Sequence, residues 1–421
     1  MTSASQSGGQ SAARIAGQPL LASLIAGGQT SDVRGYLDRL VDELKDAGRI
    51  RSGRIERAFR TVERRRFLQG FSRWDPATSR PVPVQFDPAR PSENALGIIY
   101  SDQALGTRFR DGLPSSSSTQ PSIMADMLEA LAPAPGMRVL EVGTGTGYNA
   151  ALLAEIVGDE GSVVTQEIDP GIAAEATDAL RAAGYGSVWV VARDGVEGVS
   201  EAAPFDRILA TVGCPDVSPR WQEQLTEDGR MVVPLEHAGL HPLVTLTKHD
   251  ERLEGRFFAW SAFIPIRGYL YQELPWPAAM LREDGTQAAK ELPGWDGFGT
   301  GTPIPGWGIP RDVMDFFLFL ALSDWRAVAL PPPPSSIQDR WEVGLMDSSG
   351  SALAGSGGIR VSGSQDLLPD LMRQHESWEA SGCPALEDWH ITLTVHDAEA
   401  GTPADLAVER TNYRQVVTRA T

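Results

Sequence analysis

The stretch LEVGTGTGYNAALLAEIVG, Leu140 to Gly158, decides the fold of this chain. An apolar run enters a loop with glycine at alternate positions, Gly143, Gly145 and Gly147. A segment with apolar residues at helical spacing follows. Glycines between a strand and a helix let a ligand approach the backbone, where N–H groups and the positive end of the helix dipole meet it. The dinucleotide fingerprint, G-x-G-x-x-G, needs a glycine at position 148. This chain has Tyr148 there, and an acid, Glu141, stands two residues before the first glycine.

Working outward, strands and helices alternate. SVVTQEI, SVWVVARDG and FDRILATVG read as strands, with IAAEATDALRAAG and PRWQEQL as helices. This alternation predicts an α/β fold, a doubly wound and mostly parallel sheet of Rossmann-like type. GRMVVPLE, PLVTLTKHD and GRFFAWSAFIPI then follow as consecutive strands and predict an antiparallel edge. Two further acids fall at strand ends. Glu167 lies where nucleotide folds place a carboxylate for ribose hydroxyls, and Asp194 precedes Gly195 after the third strand. The competing reading of both acids is that they only cap loops. The pattern E-x-G-x-G-x-G resembles motif I of S-adenosylmethionine (SAM)-dependent methyltransferases. It implies cofactor contacts from Glu141, Gly143, Thr144, Gly145, Gly147, Glu167, Ile168, Asp194 and Gly195.

The flanks divide the chain. Residues 1–30 read as a flexible tail. Residues 31–113 read as a helical segment, VRGYLDRLVDEL and RIERAFRTVERRRFL, followed by a Pro-rich surface excursion and a short strand in ALGIIYSDQAL. SSSSTQP then opens the helix SIMADMLEAL, and the methyltransferase core is set at 114–268. From 269 to 421 the composition shifts to Pro, Gly and Trp and predicts a separate α+β domain for substrate recognition. Its expected parts are an apolar helix, DVMDFFLFLALSDW, a hairpin of RWEVGLMD with GGIRVSG, a helix in LLPDLMRQHESWEA and a strand in WHITLTVHD. Trp276, Trp295 and Trp307 are candidate peptide-gripping residues there, with the domain's own core as the plainer explanation.

SSTQPSIMADMLEAL, RVLEVGTGTGYNAALLAEIVG, VVTQEIDP, FDRILATVGCP, LTEDGRMVVPL and FIPIRG occur in the order seen in protein-L-isoaspartate O-methyltransferases. The chain resembles that family from about Ile55 to Gly268. The resemblance implies methyl transfer from SAM to the α-carboxylate of an isoaspartyl residue. It places Thr119 at the catalytic hydroxyl position, with threonine for the usual serine, and Ser118 and Gln120 beside the substrate. Val212, Gly213 and Cys214 match the family's substrate-side loop. The chemistry asks for few acids or bases, because the accepting carboxylate is already ionised at neutral pH. Alignment and exclusion of water carry the rate. Without the resemblance, STQ before Pro121 reads as a helix cap.

The chain has 421 residues and a formal net charge of −18, which argues against nucleic acid as a partner. The two cysteines, Cys214 and Cys383, and the scattered histidines form no metal-ligand spacing, so no metal is expected. PLLASLIAG is too short to span a bilayer, and a soluble cytoplasmic protein is expected. The expected partner is a peptide or protein carrying Asp or isoAsp. Family members with added C-terminal domains resemble tailoring enzymes of lanthipeptides and graspetides, and the extra 269–421 unit favours that reading. General isoaspartate repair, methylation of a small carboxylate and a silent SAM-fold binding protein are the alternatives.

Overall fold

The computed structural model describes residues 33–75, 80–110, 113–271, 287–289, 309–330, 342–355, 358–395 and 406–419. The expected tail, the PLLASLIAG segment, Trp276, Trp295 and Trp307 lie outside these residues.

The chain opens with helices α1 (Val33–Asp46) and α2 (Gly53–Thr61), as the charged, helically spaced sequence predicts. The Pro-rich stretch is not an irregular excursion. It forms a hairpin, β1 (Phe71–Asp75) with β2 (Arg80–Val84). ALGIIY is helical in α3 (Glu93–Ile99), not a strand. Ser92 caps this helix by accepting from Ala95 N, and Glu93 favours its first turn, so local capping outweighs the β-prone Ile pair. β3 (Leu105–Arg110) and β4 (Leu113–Ser118) follow. With the first hairpin they make a sheet of order β2-β1-β3-β4, so the serine run is a strand and not the start of a helix. α4 (Pro121–Leu131) begins at the proline.

The core follows the predicted alternation: β5 (Arg138–Val142), α5 (Tyr148–Val157), β6 (Ser162–Glu167), α6 (Pro170–Ala183), β7 (Trp189–Ala192), β8 (Phe205–Ala210), α7 (Pro219–Gln224), β9 (Leu225–Pro234), β10 (Leu243–His249) and β11 (Arg252–Ala259). β5 to β9 pair in parallel, and β10 and β11 add antiparallel. Alternate residues of β5 serve opposite faces. Leu140 and Val142 join one apolar core, and Val139 joins the other with α5. Glu141 therefore points to the face that α5 covers, which fixes its partners below. No helix among the described residues is long and apolar enough to cross a membrane.

The C-terminal part comprises β12 (Gln287–Ala289), α8 (Arg311–Ser323), β13 (Ala327–Leu330), β14 (Glu342–Asp347), β15 (Gly350–Gly355), β16 (Gly358–Gly363), α9 (Leu367–Ala380), β17 (Trp389–Val395), β18 (Leu406–Glu409) and β19 (Tyr413–Arg419). The expected hairpin of β14 with β16 does not form. β15 lies between them, pairing with both, in a sheet of order β12-β16-β15-β14-β13. The break at Tyr269 is no boundary of the main sheet either. β17 pairs with β11, β19 with β17 and β18 with β19, so the central sheet has ten strands, three of them C-terminal. Helix α8 is apolar nearly all round, as expected of a helix enclosed on every side. Phe316, Phe317, Leu318 and Leu320 are fully buried in one core with Trp260, Phe257 and Trp389.

Candidate active site

A cavity of about 420 Å³ opens above the carboxyl ends of β5 and β6. Its floor is the glycine loop. Gly143 holds φ +104°, and a Cβ there would lie 2.7 Å from Thr211 Oγ1, so only glycine fits against the neighbouring loop. Gly143 N and Thr144 N both donate to Gln166 O at 2.9 Å, which ties the loop to β6.

Glu141 is sealed beneath this loop. Its carboxylate accepts from Asn149 Nδ2 at 2.7 Å and from Thr165 Oγ1 at 2.6 Å, and Thr144 Oγ1 lies 2.8 Å from the same threonine. Burial pushes the Glu141 carboxyl up to about 7, against the lowering effect of both hydrogen bonds. The unfolded chain ionises this group near pH 4.5, so between 4.5 and 7 the folded state binds more protons. Stability should therefore fall as pH rises through that window. A Glu141→Gln variant should lose this part of the pH dependence in denaturant titrations. An unchanged slope would contradict the assignment.

Glu167 ends β6 and is also largely buried. It accepts from Gly145 N at 3.2 Å and Asp169 N at 3.1 Å, and Arg267 Nη2 stands 3.4 Å away. Burial raises its pKa. Two buried acceptors on the cavity wall, Asn149 Oδ1 and Gln166 Oε1, have no hydrogen-bond partner among the described residues. Buried acceptors are normally satisfied, so this pair suits a donor-bearing ligand such as an ammonium group.

The acceptor side is built by a residue that sequence reasoning missed. Arg64 is fully buried. Its Nε donates to Ser118 Oγ at 3.0 Å, Nη1 to Ile99 O at 3.0 Å, and Nη2 to Gln103 O, Ser118 O and Thr119 O at 3.0, 3.1 and 2.9 Å. Burial pushes its pKa down to about 10, which leaves it a cation at neutral pH. Thr119 lines the cavity, and its hydroxyl makes no hydrogen bond among the described residues. It does not cap α4. Gln120 is the cap residue and offers no side-chain bond to the helix backbone. Asp102 accepts from Ser122 N at 2.8 Å and from Gln120 Nε2 at 3.1 Å. The reading of STQ as a helix cap therefore fails at Thr119.

Ser118, Thr119, Gln120, Glu141, Gly143, Thr144, Gly145, Glu167, Ile168, Gly195 and Val212 all line the cavity. Gly147, Asp194, Gly213 and Cys214 do not. Gly147 caps α5 at φ +83° and faces Leu180 of α6, where a Cβ would come within 3.2 Å, so packing there asks for glycine. Asp194 accepts from Val196 N at 3.1 Å and Tyr269 N at 2.8 Å, the loop-capping role named as its competing reading. Gly213 pairs through its backbone with Ile264 and Ile266 and so builds the wall from behind. Cys214 is fully buried, and burial raises its thiol pKa, which keeps it inert. The cavity is completed by Ser72, Pro81 and Phe109 of the four-stranded sheet β2-β1-β3-β4.

Residues 36–270 match the family model described as Protein-L-isoaspartate(D-aspartate) O-methyltransferase. The chain belongs to the protein-L-isoaspartate O-methyltransferase family. It is similar to the protein-L-isoaspartate O-methyltransferase of Pyrobaculum islandicum, with 32% identity over 54% of this chain and 98% of that protein. It is 44% identical to that of Methanococcoides burtonii over 42% of this chain and 84% of the relative. A solved structure named protein-L-isoaspartate O-methyltransferase matches with TM-score 0.53 and 25% identity, over 91% of this chain and 99% of that one. The family model ends at residue 270, so the C-terminal part lies beyond it.

As a family member the chain is a SAM-dependent protein carboxyl O-methyltransferase. The cavity fits that cofactor. Its lining holds unpartnered amide oxygens at Asn149 and Gln166, the Glu167 carboxylate and the apolar Ile168, a donor and acceptor set that suits an ammonium, hydroxyls and an apolar ring. Asn149 and Gln166 were legible only in retrospect, as amides beside the glycine loop and the ribose acid. Arg64 was hidden among three consecutive arginines.

Proposed function

We propose that the enzyme methylates the α-carboxylate of an L-isoaspartyl residue in a protein or peptide, with Thr119 holding that carboxylate. One observation carries the reading: Thr119 lines the cavity with its hydroxyl unengaged while Arg64 grips its carbonyl and that of Ser118. SAM, when bound, supplies an electrophilic methyl group on a sulfonium. The carboxylate arrives ionised and needs no general base, and neither described carboxylate of the cavity is placed to act as one, since Glu141 is fully engaged. The protein's part is to orient one oxygen through Thr119 and to exclude water with the wall of Phe109, Pro81 and Val212. The resulting ester is open to attack by the following backbone nitrogen, which closes a succinimide and releases methanol carrying the amide proton.

Tailoring of one constrained peptide is the second reading. The four-stranded N-terminal sheet favours it, because Ser72, Pro81 and Phe109 narrow the cavity beside Thr119, and threonine stands for the usual serine at position 119. The C-terminal extension gives it no direct support, because three of its strands join the main sheet instead of forming a separate recognition unit.

Thr119→Ala should lower kcat/KM on an isoaspartyl peptide about 10- to 100-fold, the worth of one hydrogen bond to a charged group. SAM affinity by calorimetry should be unchanged, and Thr119→Ser should keep most activity. An alanine variant that loses thermal stability but no activity would overturn the role.

A further inference from the structure

The C-terminal extension meets the acceptor side of the site through a polar junction. Arg410 precedes β19. Its Nη1 donates to Pro215 O at 2.5 Å, Nη2 donates to Glu236 O at 3.0 Å and lies 2.9 Å from His237 Nε2, and Nε donates to Gln415 Oε1 at 2.6 Å. Two residues on, Asn412 N donates to the buried Asp216 carboxylate at 2.5 Å, and Asn412 Nδ2 donates to Val217 O at 3.3 Å. Tyr413 OH bonds Gln222 Oε1 at 2.6 Å.

Pro215, Asp216 and Val217 lie on the loop that leaves β8, and Glu236 is bonded to that loop at Cys214. Val212 of that loop lines the cavity. Gly213 N donates to Ile264 O and Gly213 O accepts from Ile266 N, which holds the opposite cavity wall. Cys214 N and O bond Pro234 O and Glu236 N. The loop is thus fixed on its cavity side by the 264–266 segment, and at its base by the extension. Burial, with the Arg410 charge beside it, holds His237 well below its ordinary pKa, so it stays neutral and can accept from Arg410.

We infer that Arg410 is a positioning residue for the acceptor wall, so that the extension acts on methyl transfer through the 211–217 loop and not by reading the substrate. The inference rests on the methyl-transfer reading for its kinetic arm only. Arg410→Met, in the full-length protein, should lower kcat at least tenfold, equally on a short isoaspartyl peptide and on an aged folded protein. Rates are normalised to the SAM-binding fraction found by calorimetry. SAM affinity should stay within twofold, and Arg410→Lys should recover part of the rate. Hydrogen exchange of peptides covering 211–217 should speed up in Arg410→Met whatever the substrate proves to be. A loss confined to the folded substrate would make the extension a substrate reader and overturn the inference. Unchanged exchange and rate would overturn it as well. If the unaltered enzyme methylates no isoaspartyl substrate, the functional reading fails, and the exchange result alone judges the role of Arg410.

Discussion

Ending the chain at Gly268 is expected to give insoluble protein that no longer binds SAM. The cut removes β17, whose five registered positions on β11, Arg252 to Arg256, cover that strand's outer edge. An uncovered edge strand invites pairing with other chains. It also strips α8 from the apolar core that Leu253, Phe257 and Trp260 share with Phe316 and Phe317. Each such side chain returned to water costs about 1.5–3 kcal/mol, and a handful of them exceeds the net stability of an ordinary domain. Residues 36–270 correspond to nearly the whole of the Pyrobaculum islandicum relative, so a chain of that length can fold without an extension. In this chain the corresponding face is apolar. The composition break at Tyr269 predicts a separate domain for substrate recognition. The continuous sheet reverses that expectation. Soluble yield and calorimetric SAM binding of the truncated chain decide it, and a soluble, SAM-binding truncation would show that the extension docks only weakly.

Arg64→Met should be the most damaging single substitution in the site. The guanidinium satisfies five carbonyls and the Ser118 hydroxyl inside the fold. A buried acceptor left without a donor costs about 1–3 kcal/mol. Even with relaxation, a loss of about 3–5 kcal/mol is expected, in line with breaking other buried charge networks. The segment released is Ser118–Thr119, so methyl transfer should fall at least 100-fold in molecules that remain folded. SAM affinity should change much less, because Arg64 touches no residue of the glycine loop by any hydrogen bond among the described residues. Denaturant melts and kcat/KM measured on the same preparation check both halves. A variant with wild-type kcat/KM would remove Arg64 from the account.

Much of the site was legible because it follows from local rules. Glycines at alternate positions after an apolar run place a loop at a strand end, and acids ending the next strands fall beside it. That logic places Glu141, Gly143 and Glu167 on the cavity, whereas Thr119 comes only from the family resemblance. At two positions local and long-range demands share a residue. Gly147 and Asp194 stand in the motifs and also pack against Leu180 and cap Val196 and Tyr269. The same logic failed for β1 to β4, because Pro- and Ser-rich strands carry no apolar alternation, and their pairing is fixed by contacts distant in sequence. Arg64 was invisible for the same reason: its partners lie 35 to 55 residues away. The C-terminal strands were assigned to a second unit because sequence order says nothing about which sheet edge a late strand will join.

The most direct test offers the full-length enzyme and labelled SAM two synthetic peptides that differ only in one residue, L-isoaspartyl in one and L-aspartyl in the other. The account predicts base-labile methyl incorporation into the isoaspartyl peptide, with the aspartyl peptide at background. Incorporation into neither peptide, or equal incorporation into both, would contradict it.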